Sequence, residues 1–240
     1  SSFGQLPEPD FVFSLHNIPK LPAGSILLKN DIFTASVKSW AIKLEGKTAH
    51  AASPEHGVNP AVAISELIQK TQALIQPDPE NADFQLITPI HINMGELAYG
   101  ISAGGAEVHF TIRTWQNDRI YALTKTLEGL LETICQKHGL KVSWEWLEEF
   151  YANQNHPEAM KWLRQVAGNH EFNIQELSSP FKFGEDFGLF TTKFKGAMFG
   201  LGAGENLPEL HNPDYDFPDG IAPIGIQMFE SLIREITISS

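Results

Sequence analysis

The sequence predicts an α/β fold in which a small βαββαβ unit interrupts a larger α/β domain. Two observations carry this. Residues 36–150 follow the order strand, helix, strand, strand, helix, strand, which is the ferredoxin-like arrangement. The stretches on either side, 1–35 and 151–240, hold apolar strands and helices of their own, and each places a histidine, His16 or His211, just beyond a strand-like run. Function in open α/β sheets gathers where strand ends meet loops. The two flanks therefore read as one domain and 36–150 as its insert.

In the first flank, the apolar run from Phe11 ends in His16 before a Pro-rich turn and reads as a buried strand. Residues 36–44 place Trp40, Ile42 and Leu44 on one face at period two. Asn59 then offers a cap and Pro60 the preset φ of a first helical turn. Ile64, Leu67, Ile68, Thr71 and Ile75 form a helical stripe, which Pro77 and Pro79 stop. Residues 84–94 alternate again, with Phe84, Leu86, Ile90, Ile92 and Met94 on one side and His91 and Asn93 on the other. Glycines between 95 and 105 turn the chain. Residues 106–115 set Val108, Phe110 and Ile112 against Glu107, His109, Thr111 and Arg113. A helix over 118–138 carries Ile120, Leu123, Leu127, Leu130, Leu131 and Ile134 and stops at Gly139. Residues 141–149 close the insert with Val142, Trp144 and Trp146 inward. The second flank reads as helices near 156–171 and 220–237 around an apolar strand over 196–204.

With 240 residues, 42% hydrophobic and 19% charged, the chain has the composition of an ordinary globular protein. A formal charge of -12 without a basic run argues against nucleic acid or an anionic membrane surface as partner. The single cysteine, Cys135, has no internal disulfide partner, which points to a reducing, cytoplasmic setting. No apolar run reaches membrane-spanning length.

Four motifs stand out in order: Leu15-His16-Asn17, Gly46-Lys-Thr-Ala-His50 continuing to Pro60, Phe183-Gly-Glu185-Asp-Phe187, and Leu210-His211-Asn-Pro-Asp-Tyr-Asp-Phe217. Together they resemble the amidohydrolase branch of the M20 metallopeptidases, the aminoacylase-like and hippurate-hydrolase-like enzymes. The resemblance implies a zinc-peptidase-like three-layer catalytic domain, present in part as residues 1–35 and 151–240, with residues 36–150 as a lid and dimerisation domain. It also makes the chain look like the C-terminal part of such an enzyme. The segment bearing further His or Cys ligands, a bridging acid and a catalytic glutamate pair would precede it.

By the same resemblance, the expected reaction is metal-dependent hydrolysis of an amide bond in an N-acyl amino acid or small peptide. Two divalent ions serve it, zinc first, with manganese or cobalt as alternatives. His16 and His211 match metal ligands. His50 matches a residue that reaches over from a partner subunit of a homodimer and donates a hydrogen bond to the developing oxyanion. Glu185 matches a group beside the ligands or in the substrate pocket. Arg113 lies on a polar strand face, where its guanidinium suits a substrate carboxylate; a solvated strand arginine paired with Glu107 or a neighbour is the other reading. The chain departs from the family at Tyr99-Gly100-Ile101-Ser102-Ala103, where relatives carry an Asn-Val-Ile-Pro-like stretch, so Gly100 has no side chain to offer. A catalytically inactive member kept as a dimerisation or ligand-binding module, and an aminopeptidase or dipeptidase of the wider family, are the alternative functions.

Overall fold

The computed structural model describes residues 8–239. Strands β1 (Val12–Pro19), β2 (Ile26–Leu28) and β3 (Asp31–Thr34) lead into β4 (Ser36–Glu45), β5 (Ala49–His50) and helix α1 (Ala61–Gln72). Strands β6 (Gln85–Met94), β7 (Ile101–Ser102) and β8 (Gly105–Thr114), helix α2 (Asn117–His138) and strand β9 (Lys141–Phe150) come next. The chain finishes with β10 (Asn153–Asn155), α3 (Pro157–Asn169), β11 (Ile174–Glu176), α4 (Gly188–Thr191), β12 (Gly196–Gly204) and α5 (Ala222–Ser239). Contacts divide it into two compact units, one built from the stretches up to Thr34, Tyr151–Phe181 and from Glu185 onward, the other from Ala35–Phe150 with Lys182–Gly184.

The first unit holds a sheet in the order β1-β12-β2-β11, with β1 and β12 parallel from Val12↔Gly196 to Ile18↔Gly202. Its interior strand β12 is apolar and buried along nearly its whole length, as a strand covered on both faces must be. Ile26, Leu28, Phe199 and Leu201 pack with Met160, Leu163 and Val166 of α3 and with Met228 and Leu232 of α5. At Gly202 a Cβ would stand 2.0 Å from the Pro22 carbonyl oxygen, so only glycine lets β12 pass that turn. Strand β1, expected to be buried, is half-buried from Val12 to Asn17 because it forms the edge of this sheet. The short strands β2, β3, β10 and β11 are not legible in the sequence, being three or four residues each with no room for a period to show.

The second unit is a four-stranded antiparallel sheet in the order β6-β8-β4-β9 with α1 and α2 packed on its apolar face. This is the ferredoxin-like topology. Trp40, Ile42 and Leu44 of β4 and Val108, Phe110 and Ile112 of β8 meet Ile64 and Leu67 of α1 and Leu127, Leu131 and Ile134 of α2. Trp146 stacks on Trp40 at 5.1 Å between ring centroids. The indole nitrogens of Trp144 and Trp146 both donate to Glu128 Oε1, at 3.3 and 2.6 Å, which satisfies the polar edge of each ring. Helix α2 ends at Gly139 in the left-handed region, φ 68°, and Leu140 N–H reaches back to the Cys135 carbonyl at 2.9 Å. Glu66 on α1 bridges to Lys137 (2.8 Å) and His138 (2.9 Å) at the end of α2; those two partners hold its carboxyl at a pKa of about 2.

The expected alternation over 84–94 is interrupted. A register shift between Pro89 and His91 inserts one residue into β6 and exchanges the faces of the residues beyond it. Before the shift, Ile87 pairs with Ile112 and is 1% exposed; after it, Ile92 and Met94 pair with Val108 and Ala106. Because β6 is an edge strand, Ile90, Ile92 and Met94 remain 61%, 47% and 39% exposed. No helix among the described residues is long and apolar enough to cross a membrane.

Candidate metal centre

Since β1 and β12 run parallel, their carboxyl ends lie at the same edge of the sheet, and both histidine motifs belong to that edge. Lys20 N–H donates to the Gly204 carbonyl at 2.9 Å, joining the two strand ends. His16 stands opposite Gly200 near the end of β1. Its Nδ1 lies 2.8 Å from the Asn17 carbonyl oxygen and its Nε2 3.1 Å from Glu185 Oε1. The two side chains are 21% and 25% exposed. Burial is the largest single influence on the ring and lowers its pKa. The Glu185 hydrogen bond, the Asn17 carbonyl and the Glu185 charge together outweigh it, so the net shift is upward.

With Nδ1–H committed to a carbonyl, as ligating histidines are usually oriented, Nε2 is the nitrogen a metal would take, the ion replacing the proton that Nε2 now shares with Glu185. The adjacent carboxylate is the second donor type that zinc accepts. In donor chemistry the pair fits a divalent ion, yet among the described residues no group of three or more His, Cys, Asp or Glu is arranged to hold one. His211 stands on an exposed turn with φ 69°, a conformation uncommon for a residue with a side chain. The structure thus brings His16 and Glu185 together but does not gather His211 into a cluster with them.

Sequence reasoning overlooks the residue after His16. The Asn17 side-chain amide donates to the Tyr215 hydroxyl, four positions beyond His211. Both residues lie inside the histidine motifs, but a hydrogen bond spanning 198 positions leaves no periodic trace.

In the second unit, His50 belongs to a two-residue ladder, β5 with β7, and pairs with Ile101. Its Nδ1 accepts the Ala52 N–H at 3.0 Å, so the neutral ring carries its proton on Nε2 as a donor. The loop beneath is built on close backbone approach: a Cβ at Gly46 would lie 2.0 Å from the Val58 carbonyl oxygen. Gly100 faces open space, and its own carbonyl accepts the Ala51 N–H at 2.9 Å. The departure at Gly100 therefore touches the His50 loop through the backbone. Asn59 supplies the expected capping side chain, accepting the Ala61 N–H at 2.9 Å, although the helix starts at Ala61, one residue later than expected, with Pro60 at its N-cap.

Arg113 is half-buried in the interior strand β8, and burial pulls its pKa below the ordinary value. Its Nη1 donates to the Lys182 carbonyl at 2.6 Å. It does not take Glu107, which pairs instead with His109 at 2.7 Å.

The sequence profile of peptidase family M20/M25/M40 matches residues 3–235. The chain belongs to this family. An N-acetyldiaminopimelate deacetylase of Lactobacillus helveticus is 32% identical over 86% of this chain and 55% of its own length. An N-acetylcysteine deacetylase of Bacillus subtilis is 24% identical over 92% of this chain and 57% of its own. The chain thus spans little more than half the length of these relatives. Among solved structures, the Bacillus subtilis YXEP protein, described as a dinuclear metal-binding peptidase of the M20 family, superposes with a TM-score of 0.74 at 22% identity, over 93% of this chain and 56% of that one. The aminopeptidase PepT of Bacillus cereus superposes at 0.69 with 14% identity, over 93% and 57%. These likenesses show the shared α/β fold.

Proposed function

We propose that the protein carrying this chain hydrolyses the amide bond of a small N-acylated amino acid, with divalent metal held in part by His16, Glu185 and His211. The observation that carries this reading is the His16–Glu185 pair at the carboxyl end of β1, 3.1 Å apart. The relatives similar in sequence across most of the chain are named as deacetylases of N-acetylated amino acids. The likeness to an aminopeptidase is one of fold alone.

Imidazole with carboxylate favours zinc as the ion. A bound divalent ion supplies Lewis-acid polarisation of the amide and lowers the pKa of water. The rest falls to side chains. The Asn17 carbonyl fixes the His16 ring so that Nε2 faces Glu185. His50 of a second copy presents an Nε2–H donor to the carbonyl oxygen as charge develops there. Arg113 keeps guanidinium N–H groups beyond the one given to Lys182, and these suit the free carboxylate of an N-acyl amino acid.

We infer also a homodimer formed along β6, because an edge strand carrying exposed Ile90, Ile92 and Met94 invites pairing with a second copy. A reducing, cytoplasmic setting suits the buried Cys135, whose thiol burial pushes up to about 11 and so keeps unreactive.

Acetate release from N-acetyldiaminopimelate, N-acetylcysteine and a panel of other N-acetyl amino acids, measured with zinc, manganese or cobalt added, tests the reading. Turnover should vanish with a chelator and return with metal. His16→Ala and Glu185→Gln should each weaken metal affinity at least 10- to 100-fold, on the order seen when even supporting groups around a metal are removed. Hydrolysis insensitive to chelator would reject a metal-dependent reaction.

A further inference from the structure

We propose that Tyr215 is a positioning residue: its hydroxyl, gripped by the Asn17 side chain, clamps the loop that carries His211 to the strand end that presents His16. This rests on the reading of His16 and His211 as metal ligands and names what sets their relative placement. Asn17 performs two tasks at once. Its carbonyl orients the His16 ring through Nδ1, and its side-chain amide donates to the phenol oxygen of Tyr215.

The loop between β12 and the short helical turn Asp219–Ile221 is held near its start by Leu207, which packs against the core of the unit. Inside it, Asn212 N–H bonds the Glu209 carbonyl at 3.2 Å and Tyr215 N–H bonds the Asn212 carbonyl at 3.0 Å. His211 lies between those turns with φ 69°. A residue with a side chain keeps such a conformation only where its surroundings over-determine it. Beyond His211, Tyr215 is half-buried while Asn212, Pro213, Asp214 and Asp216 are exposed, so its ring moors the far side of the histidine as Leu210 and Leu207 hold the near side. Loss of the hydroxyl alone should free the loop without disturbing the sheet beneath.

Two measurements on the full chain decide this. In the metal-free protein, Tyr215→Phe should speed amide hydrogen exchange at Asn212 and Tyr215 about tenfold, the ratio that the net worth of one hydrogen bond corresponds to, and leave β1 and β12 unchanged. Asn17→Ala should do the same, whereas Asn17→Asp, whose carboxylate accepts the tyrosine proton, should restore protection. Zinc alone is then titrated while the imidazole NMR signals of His16 and His211 are monitored. In the parent both should shift together; in Tyr215→Phe the His211 response should need about tenfold more zinc while that of His16 is kept.

Unchanged exchange in Tyr215→Phe overturns the clamp. Faster exchange with an unaltered zinc response at His211 overturns the positioning role. If neither histidine responds to zinc in the parent, the metal reading fails, and with it the positioning role, while exchange still reports on the clamp itself.

Discussion

His50→Ala is expected to lower kcat about 10²- to 10³-fold in the active protein, the loss caused by removal of one oxyanion donor, while bound metal stays constant. The expectation rests on the ring's tautomer. With Nδ1 occupied by the Ala52 N–H, Nε2 is the donor, and no metal-ligand role remains for the residue. Steady-state kinetics beside metal analysis on the same preparations check it. Because the proposed donor comes from a second subunit, mixing His50→Ala with His16→Ala should recover part of the activity through hybrid dimers. A variant that loses metal, or one that changes KM alone, would place His50 elsewhere in the reaction.

Phe110→Ala should cost about 3–5 kcal/mol in the stability of the second unit. The ring is wholly buried in β8, 5.9 Å from Trp40 between centroids, and β4 and β6 hold it in register from either side through Trp40 and Pro89. Truncation leaves a cavity between sheet and helices that neighbouring strands are poorly placed to fill. Denaturant unfolding monitored by fluorescence of the stacked Trp40–Trp146 pair reads the effect. A shift below about 1 kcal/mol would mean that this core collapses onto the gap, contrary to close packing between sheet and helices.

The second unit is the more legible part of the sequence. Strand β8 repeats at period two without interruption, and α2 repeats at helical spacing until Gly139, so local pattern and burial agree residue by residue. Strand β6 departs from its pattern because a single inserted residue at Pro89–His91 inverts the alternation, and a bulge has no hydrophobic signature of its own. The short strands of the first unit owe their existence to pairing with distant segments, as Ile26–Leu28 does with Ile174–Glu176.

The site is legible in its motifs and not in its contacts. His16, Glu185 and His211 stand out as residue types, whereas the bond between His16 and Glu185 joins positions 169 apart in the chain, and the Asn17–Tyr215 bond joins positions 198 apart. Only the fold brings either pair together. Arg113 shows the reverse case, since alternation along β8 gives its strand face while its partner, the Lys182 carbonyl, is not foreseeable from a neighbouring Glu107.

Anomalous diffraction at the zinc edge, from crystals grown with zinc, tests most directly whether His16 and Glu185 are metal ligands. A peak is expected about 2.0–2.2 Å from both His16 Nε2 and a Glu185 carboxylate oxygen, with the ion replacing the hydrogen bond that now joins them. Zinc bound elsewhere, with His16 and Glu185 still hydrogen-bonded to each other, would contradict it.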